Sequence, residues 1–314
     1  MRINWVTNGL RAMVAVFLTI PVCFVRADIL YTTSANDNVV YRIAGGVLST
    51  PHSGLSNPHG LAFDSAGDLY VANGIANSVT EFTPQGTSST LAGGLLSNPG
   101  GVALDRSGNL FVVSNLNNRI VKYTPQGAGT IFASTGLNSP VGVAFDTAGN
   151  LYVANEGNNT IEEFNTSGTG SVFASSSAGL SGPTGLAFSS NGTLYVANET
   201  SNTITEIAPD GTASTPIISG LNIPIGLAFD GAGNLYAANV GSNSIEEYIG
   251  GAGVGSLFAS GLNGPDYIAF TDNGGVPLPV PAVVPEPTSI WIFLSIGGLA
   301  LLGRRRRCLN ASQC

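Results

Sequence analysis

The chain has 314 residues, of which 42 are glycine and only 10% are charged. Residues 28–273 carry four basic and 18 acidic side chains, a formal charge of −14 that repels phosphate backbones and excludes nucleic acid as a partner. The three cysteines, Cys23, Cys308 and Cys314, lie outside this region, so it has neither a disulfide framework nor a cysteine metal site.

The first 27 residues are a predicted secretory signal. Arg2 and Arg11 mark the basic region, residues 12–25 are apolar, and residues 25–27 provide a cleavage site. Cys23 leaves a lipoprotein signal as the alternative, although the bulky Val22 stands where a small residue is preferred. Either signal predicts export of the region that follows.

A motif recurs through the exported region. It reads PVGVAFDTAGNLYVAN from Pro140, and its near-copies follow one another at intervals of 41 or 43 residues. The near-copies start at Pro58, Pro99, Pro183 and Pro224, and a degenerate copy starts at Pro265. Self-similarity at this period indicates a repeat architecture built from one supersecondary unit.

Each copy predicts four short strands. GLAF and LYVA are apolar runs, as expected of strands covered on both faces, and the DxAGN between them is a hairpin turn. A third strand follows, for example over residues 160–164 or 244–248, and a fourth follows a second Gly-rich turn, as over residues 171–174. Four strands with tight turns at this period are typical of a propeller blade.

The two ends of the array complete one another. Residues 29–50 supply only the last three strands of a blade, and residues 265–272 supply only a first strand. Joining them removes strand edges that would otherwise be exposed. The sequence therefore predicts an all-β, six-bladed β-propeller over residues 28–273, monomeric and closed by pairing of both termini.

The composition changes after the propeller. Residues 274–284 form a Pro-rich linker, residues 285–307 combine a Pro-Glu-Pro triplet with an apolar run and four arginines, and residues 308–314 are a short tail. The apolar run over residues 290–302 predicts a C-terminal transmembrane helix with the arginines on the cytoplasmic side. An apolar tail packed on the propeller is the alternative. The triplet and the basic cluster are Pro285, Glu286, Pro287, Arg304, Arg305, Arg306 and Arg307.

This C-terminal pattern resembles the PEP-CTERM sorting signal of exopolysaccharide-producing Gram-negative bacteria. The resemblance implies an exosortase-type processing enzyme as partner. It also implies an inner-membrane-anchored precursor with the propeller outside the cytoplasm, and later delivery to the cell surface or the extracellular space. Some ice-binding proteins carry the same signal, but ice adsorption needs a flat, Thr-rich face that a propeller does not offer.

The repeat PxGLAFDxxGNLYVANxxxNxI, over about residues 29–272, resembles NHL-type repeats and the related YVTN and streptogramin-lyase-like propellers. The resemblance implies the fold but not one function, because such propellers include binding modules, lactonases, lyases and scaffolds. Lyase-like members need two histidines and a glutamate at defined blades. This chain has two histidines, His52, expected in a loop of the closing blade, and His59, but no such set is recognisable.

Sugar-lactonase propellers use Glu, Asn and Asp around a central metal. Asparagine and aspartate do occur here at fixed repeat positions, but they recur in blade after blade, which favours a turn-forming role over catalysis. The recurrent residues are Asn73, Asn155, Asn198, Asn239, Asp64, Asp105, Asp146 and Asp230.

The candidate site residues are those that differ between copies at one end of the ring. His59 and Asp266 occupy the variable position of PxG in adjacent blades, where a His beside an Asp binds a cation or a sugar hydroxyl. Glu156 and Glu199 lie at the same end in loops of neighbouring blades and predict a Ca²⁺ site. The alternatives are a polar pair and a solvated acidic rim. In third strands, one glutamate of each pair 162–163 and 246–247 is expected to face solvent.

We therefore expect a non-enzymatic binding or scaffold module in an exopolysaccharide-associated extracellular matrix. Its partners would be extracellular polysaccharide or protein, and it would require no cofactor, Ca²⁺ being the one option. The rival hypothesis is a hydrolase or lyase of the sugar-lactonase or streptogramin-lyase kind, with a metal at the channel mouth.

Overall fold

The computed structural model describes residues 28–91, 94–213, 217–272 and 276. These residues form 24 strands in six antiparallel four-stranded sheets, which confirms the six-bladed propeller. The predicted signal, most of the linker, the Pro-Glu-Pro triplet, the apolar run, the arginines and the tail all lie outside the described residues. Within the described part of the chain, no helix has the length and apolar character needed to cross a bilayer.

The two inner strands of each blade carry the repeat motif. The innermost strands, which surround the central channel, are Pro58–Phe63, Pro99–Leu104, Pro140–Phe145, Pro183–Phe188, Pro224–Phe229 and Pro265–Thr271. The second strands are Ile29–Ser34, Leu69–Asn73, Leu110–Ser114, Leu151–Asn155, Leu194–Asn198 and Leu235–Asn239. Nearly every residue of the second strands is buried, because both faces are covered by neighbouring blades.

The outer half of each blade is more exposed. The third strands are Val39–Ala44, Ser78–Phe82, Arg119–Tyr123, Thr160–Phe164, Thr203–Ile207 and Ser244–Tyr248. The fourth strands are Val47–His52, Ser88–Leu91, Gly129–Ala133, Gly170–Ala174, Ile218–Ser219 and Ser256–Ser260. Short 3-10 helices occupy Glu156–Asn158, Ser176–Ala178, Val240–Ser242 and Ile249–Gly251.

The ring closes as the sequence predicts. The strand Pro265–Thr271 pairs with Ile29–Ser34, with Leu30 opposite Phe270 and Ile29 opposite Thr271. Both ends of the propeller therefore leave from the end of the channel at which the innermost strands finish. We number this closing blade 1 and the following blades 2 to 6 in chain order.

The glycine of PxG lets the innermost strands approach one another. A Cβ at Gly60 would lie 2.6 Å from the carbonyl oxygen of Gly100 in the next blade, and a Cβ at Gly142 would overlap the carbonyl oxygen of Thr184. A larger residue at either of these positions would push the adjacent strands apart. The glycine of the motif therefore allows the innermost strands to pack closely around the channel.

Apolar side chains fill the space between adjacent blades. Between blades 4 and 5, Tyr152 stacks edge-on against Phe173 and Phe188, with ring centroids 4.9 and 5.0 Å apart. Equivalent clusters recur around the ring. The core is therefore a set of interblade layers, and removing one blade would expose the two layers beside it.

Asparagines at the start of the third strands connect each blade to the next. Each adopts a positive φ of 52 to 58° and accepts a hydrogen bond, 2.7 or 2.8 Å long, from the backbone N–H just before the next blade's proline. We call these six residues the interblade asparagines. They are Asn38, Asn77, Asn118, Asn159, Asn202 and Asn243.

The glutamate doublets are placed broadly as expected, whereas His52 is not. Glu162 is 5% exposed and Glu163 is partly exposed, while Glu246 and Glu247 are both partly exposed. His52 ends the fourth strand of blade 1, outside any loop, and its ring packs on Phe82 with centroids 4.3 Å apart.

Candidate functional site at the channel mouth

A cavity of about 340 Å³ opens at the end of the channel where the innermost strands begin. We call it the upper cavity. Its wall includes the variable residue of PxG from every blade. This is the position at which the sequence predicts site residues, because it differs between the copies of the repeat. These residues are His59, Gly100, Val141, Thr184, Ile225 and Asp266.

His59 and Asp266 meet in this cavity. The Nδ1 atom of His59 lies 2.6 Å from Oδ2 of Asp266, and its Nε2 atom lies 3.1 Å from Nδ2 of Asn57. Because an aspartate accepts and an amide nitrogen donates, the neutral ring carries its proton on Nδ1 and presents a lone pair at Nε2. Gly74 leaves room for the ring, since a Cβ there would lie 2.9 Å from Nε2.

The environment of His59 holds its proton more tightly than water does. Burial of the ring lowers the pKa, but the hydrogen bond and the charge of Asp266 outweigh it and raise the pKa above the ordinary value. His52 behaves in the opposite way, because burial alone lowers its pKa and no carboxylate compensates. The two histidines of the propeller are thus chemically distinct.

Glu156 and Glu199 line the same cavity from blades 4 and 5. Each directly follows a second strand, and its backbone N–H donates to the previous interblade turn, at 3.2 Å to Ser139 and 2.9 Å to Gly182. Burial raises the pKa of Glu199, and the charges of Glu156 and Asp266 raise it further. Three carboxylates from three blades therefore share one electrostatic environment.

Tyr267 is a cavity residue that sequence reasoning missed. It stands where the other five copies have the glycine of PxG, and its side chain reaches the upper cavity. Its hydroxyl is buried and has no hydrogen-bond partner among the described residues. Burial is the largest cause of its raised pKa, and the charges of Asp266, Glu199 and Glu156 raise the pKa further. The break in the repeat was the available signal.

The repeated polar residues are structural, as expected. The side chain of Asn155 accepts from the N–H of Asn138 and donates to the carbonyl of Gly136. Asp64 accepts from the N–H groups of Ala66 and Asp68 and so shapes the hairpin turn. Equivalent bonds recur in other blades, which accounts for the recurrence of these residues without catalysis.

No group of three or more His, Cys, Asp or Glu side chains within the described residues is arranged to hold a metal ion. The carboxylates of Glu156, Glu199 and Asp266 interact across the upper cavity without forming a ligand cluster. The Ca²⁺ site at Glu156 and Glu199 therefore stays a prediction.

The opposite end of the channel has a different character. A cavity of about 780 Å³ there is lined mainly by apolar residues, including the sixth residue of every innermost strand. These residues are Phe63, Leu104, Phe145, Phe188, Phe229 and Phe270. The upper cavity, which lies away from the two ends of the propeller, therefore has the larger set of carboxylates and the histidine, whereas Asp230 is the one carboxylate among the described residues that lines the opposite cavity.

Several solved structures share this fold. A chain from a nidogen/laminin complex is 21% identical with a TM-score of 0.67, covering 78% of this chain and 98% of that chain. A catalytically inactive histidine-to-alanine variant of virginiamycin B lyase from Staphylococcus aureus, with quinupristin, is 18% identical with a TM-score of 0.62, covering 78% and 88%. A streptogramin B lyase is 16% identical with a TM-score of 0.63, covering 79% and 87%.

At these identities the solved structures show the fold alone. A search of curated proteins found no match. The model of the virginiamycin B lyase family, in contrast, matches residues 47–254, which is well over half of the sequence. On this match, the chain belongs to the virginiamycin B lyase family.

Proposed function

We propose that the chain binds a small molecule in the upper cavity and acts on it as a lyase, with His59 as the general base. The observation that carries this proposal is the 2.6 Å hydrogen bond between His59 and Asp266 inside the cavity. Membership of a lyase family supports the reaction class. This proposal replaces our expectation of a non-enzymatic module as the leading hypothesis.

The geometry provides for proton abstraction. Asp266 accepts from Nδ1 of His59 and so fixes the lone pair on Nε2, which a substrate in the cavity would reach by displacing the amide of Asn57. Nε2 would take a proton from a carbon beside a carbonyl group, and the bond from the adjacent carbon to an ester oxygen would break. A carbon–carbon double bond would form, and the ester oxygen would leave as part of a carboxylate. Asp266 would stabilise the imidazolium. A positioned base of this kind contributes roughly 10²- to 10⁴-fold in rate.

The mechanism is proposed without a metal ion. The rival hypothesis placed a metal at the channel mouth, but the described residues do not offer a cluster of ligands for one. Every step is assigned to side chains of the chain itself. Turnover measured with and without added Ca²⁺ or Mn²⁺ tests this assignment, because an increase with either ion would favour the rival hypothesis.

The test is a turnover assay with the full-length chain, quinupristin and a panel of sugar lactones, followed by mass spectrometry. Elimination opens an ester without changing its mass, whereas hydrolysis adds one water. His59→Ala and Asp266→Asn should reduce turnover, while His52→Gln, which alters the histidine outside the cavity, should retain it. Equal turnover by His59→Ala and the unmodified chain would refute the assignment.

A second candidate function is the matrix-associated binding module. The similarity to a propeller from a nidogen/laminin complex supports it, because the propeller of that structure takes part in a complex of two proteins. The −14 charge of residues 28–273 favours a basic or neutral partner. This candidate would be favoured if the unmodified chain turned over no substrate and if both it and His59→Ala bound the matrix.

We also propose that the exported propeller is tethered through its C-terminal sorting signal. Both ends of the propeller leave opposite to the upper cavity, so a tether would present that cavity away from the membrane. Protease added to spheroplasts should digest the propeller, and Glu286→Ala should block processing without blocking export. A propeller protected from the protease would contradict this orientation.

A further inference from the structure

The wall of the upper cavity combines acidic side chains with apolar side chains. Glu156, Glu199 and Asp266 face it from three blades, and none of the described residues that line it is a lysine or an arginine. The rest of the wall includes the apolar residues Val141, Ile225 and Val240, together with Ile223, which adopts a positive φ of 55°. Such a wall complements a ligand that is both cationic and organic.

His59 pairs with Asp266 and does not neutralise the two glutamates. It is paired with Asp266 through Nδ1, and Asn57 occupies its Nε2 atom, so neither ring nitrogen is directed to Glu156 or Glu199. These two glutamates come from blades 4 and 5, whereas the His–Asp pair joins blades 1 and 2. The charge of the glutamates is therefore not compensated by the proposed catalytic pair.

Tyr267 supplies an independent observation. Its hydroxyl is buried, lacks a partner among the described residues and lies within electrostatic reach of all three carboxylates. A buried hydroxyl without a partner is unfavourable, and a ligand atom that accepts its hydrogen bond would remove that penalty. The same tyrosine replaces a glycine that all five other blades retain, so the feature is specific to one side of the ring.

We propose that the upper cavity binds an organic ammonium ion, with its charged nitrogen near Glu156 and Glu199 and a hydroxyl or ether oxygen accepting from Tyr267. The proposal deepens the proposed function, because it rests on the same cavity being the ligand site, but it does not require turnover. It names a substrate class of amines that carry oxygen, such as amino sugars, or an apolar group that fits the cavity wall. The dispersed carboxylates favour an ammonium ion over a metal ion.

The test is calorimetric titration of the full-length chain with two matched pairs of probes. D-glucosamine is compared with D-glucose, and phenethylamine with 2-phenylethanol, so that each pair differs chiefly in the charged nitrogen. The amine of at least one pair should bind about tenfold or more tightly than its neutral partner. Equal affinity within both pairs, or no binding of either amine, would overturn the proposal.

Variants locate the interaction. Glu156→Gln and Glu199→Gln should each weaken amine binding roughly ten- to a hundredfold, and Tyr267→Phe should weaken glucosamine but not phenethylamine. Glu81→Gln, in a third strand outside the cavity, is the matched control and should have no effect. Displacement of the amines by micromolar Ca²⁺ would instead identify a metal site and overturn the proposal.

The two proposals fail separately. Amine binding by the unmodified chain, with no turnover of any substrate by that chain, would sustain the ammonium site and refute the lyase. Turnover that depends on His59, with no binding of either amine, would sustain the lyase and refute the ammonium site. Binding is measured at equilibrium, so it does not depend on identifying the reaction.

Discussion

The interblade asparagines offer a quantitative test of how the ring is held together. Asn159 has a φ of 56°, and its side-chain oxygen accepts a 2.7 Å hydrogen bond from the N–H of Gly182. The carbonyl of Gly182 in turn accepts from the N–H of Glu199, so this connection also positions a residue of the upper cavity. Substitution of Asn159 should therefore affect both stability and the site.

Three substitutions separate the two contributions of this residue. Asn159→Asp keeps the acceptor and should change the free energy of unfolding by less than about 1 kcal/mol. Asn159→Gly keeps the left-handed backbone but leaves the N–H of Gly182 unpaired, which should cost about 1–2 kcal/mol. Asn159→Ala also strains the backbone and should cost about 1 kcal/mol more than glycine.

Urea unfolding monitored by circular dichroism gives the free energy of unfolding of each variant from the fitted midpoint and slope. The expected order of stability is aspartate, then glycine, then alanine. If Asn159→Asp were as destabilising as Asn159→Ala, the hydrogen bond would not be the reason for the conserved geometry around the ring. If all three matched the unmodified chain, the asparagines would not connect the blades.

Three further predictions concern the ring and the acidic cluster. Gly142→Ala should lower the free energy of unfolding by about 3 kcal/mol, because its Cβ would overlap the carbonyl oxygen of Thr184, and an unchanged urea midpoint would contradict the close approach. Deleting residues 265–273 should lower the midpoint by removing the innermost strand of blade 1; an unchanged midpoint would refute the closure. The raised pKa of Glu199 favours its protonated form in the folded state, so stability should fall as pH rises from 4.5 through the folded pKa. Glu199→Gln should flatten that fall in a urea series across pH, and an identical slope in both proteins would contradict it.

The architecture was predictable because the repeat is regular and its two ends are complementary. Pro58 to Pro265 mark the same point in successive blades, and the missing strand of residues 29–50 matches the extra strand at 265–271. The predicted closure also placed His59 and Asp266 in adjacent blades, and in the structure a hydrogen bond joins them. The repeat thus predicted which residues distant in the sequence lie close together, which the pattern of a single strand cannot do.

Other features could not be obtained in this way. The depth at which Glu162 is buried did not follow from the pattern, because alternation along a strand predicts which side chain faces inward but not how far a neighbouring blade covers it. The hydrogen bond from Asn159 crosses between blades and depends on a backbone twist that composition does not reveal. Tyr267 was overlooked because its copy is degenerate, although that departure from glycine was itself the signal.

The central claim is that His59, oriented by Asp266, is a base that acts on a ligand in the upper cavity. The most direct measurement is the pH dependence of turnover for the unmodified chain and for Asp266→Asn. Activity should rise with pH through a pKa above the ordinary value of 6.5 in the unmodified chain, because Asp266 stabilises the charged ring. In Asp266→Asn the rate should fall and the rise should move to lower pH. A profile that is the same in both proteins would contradict the account.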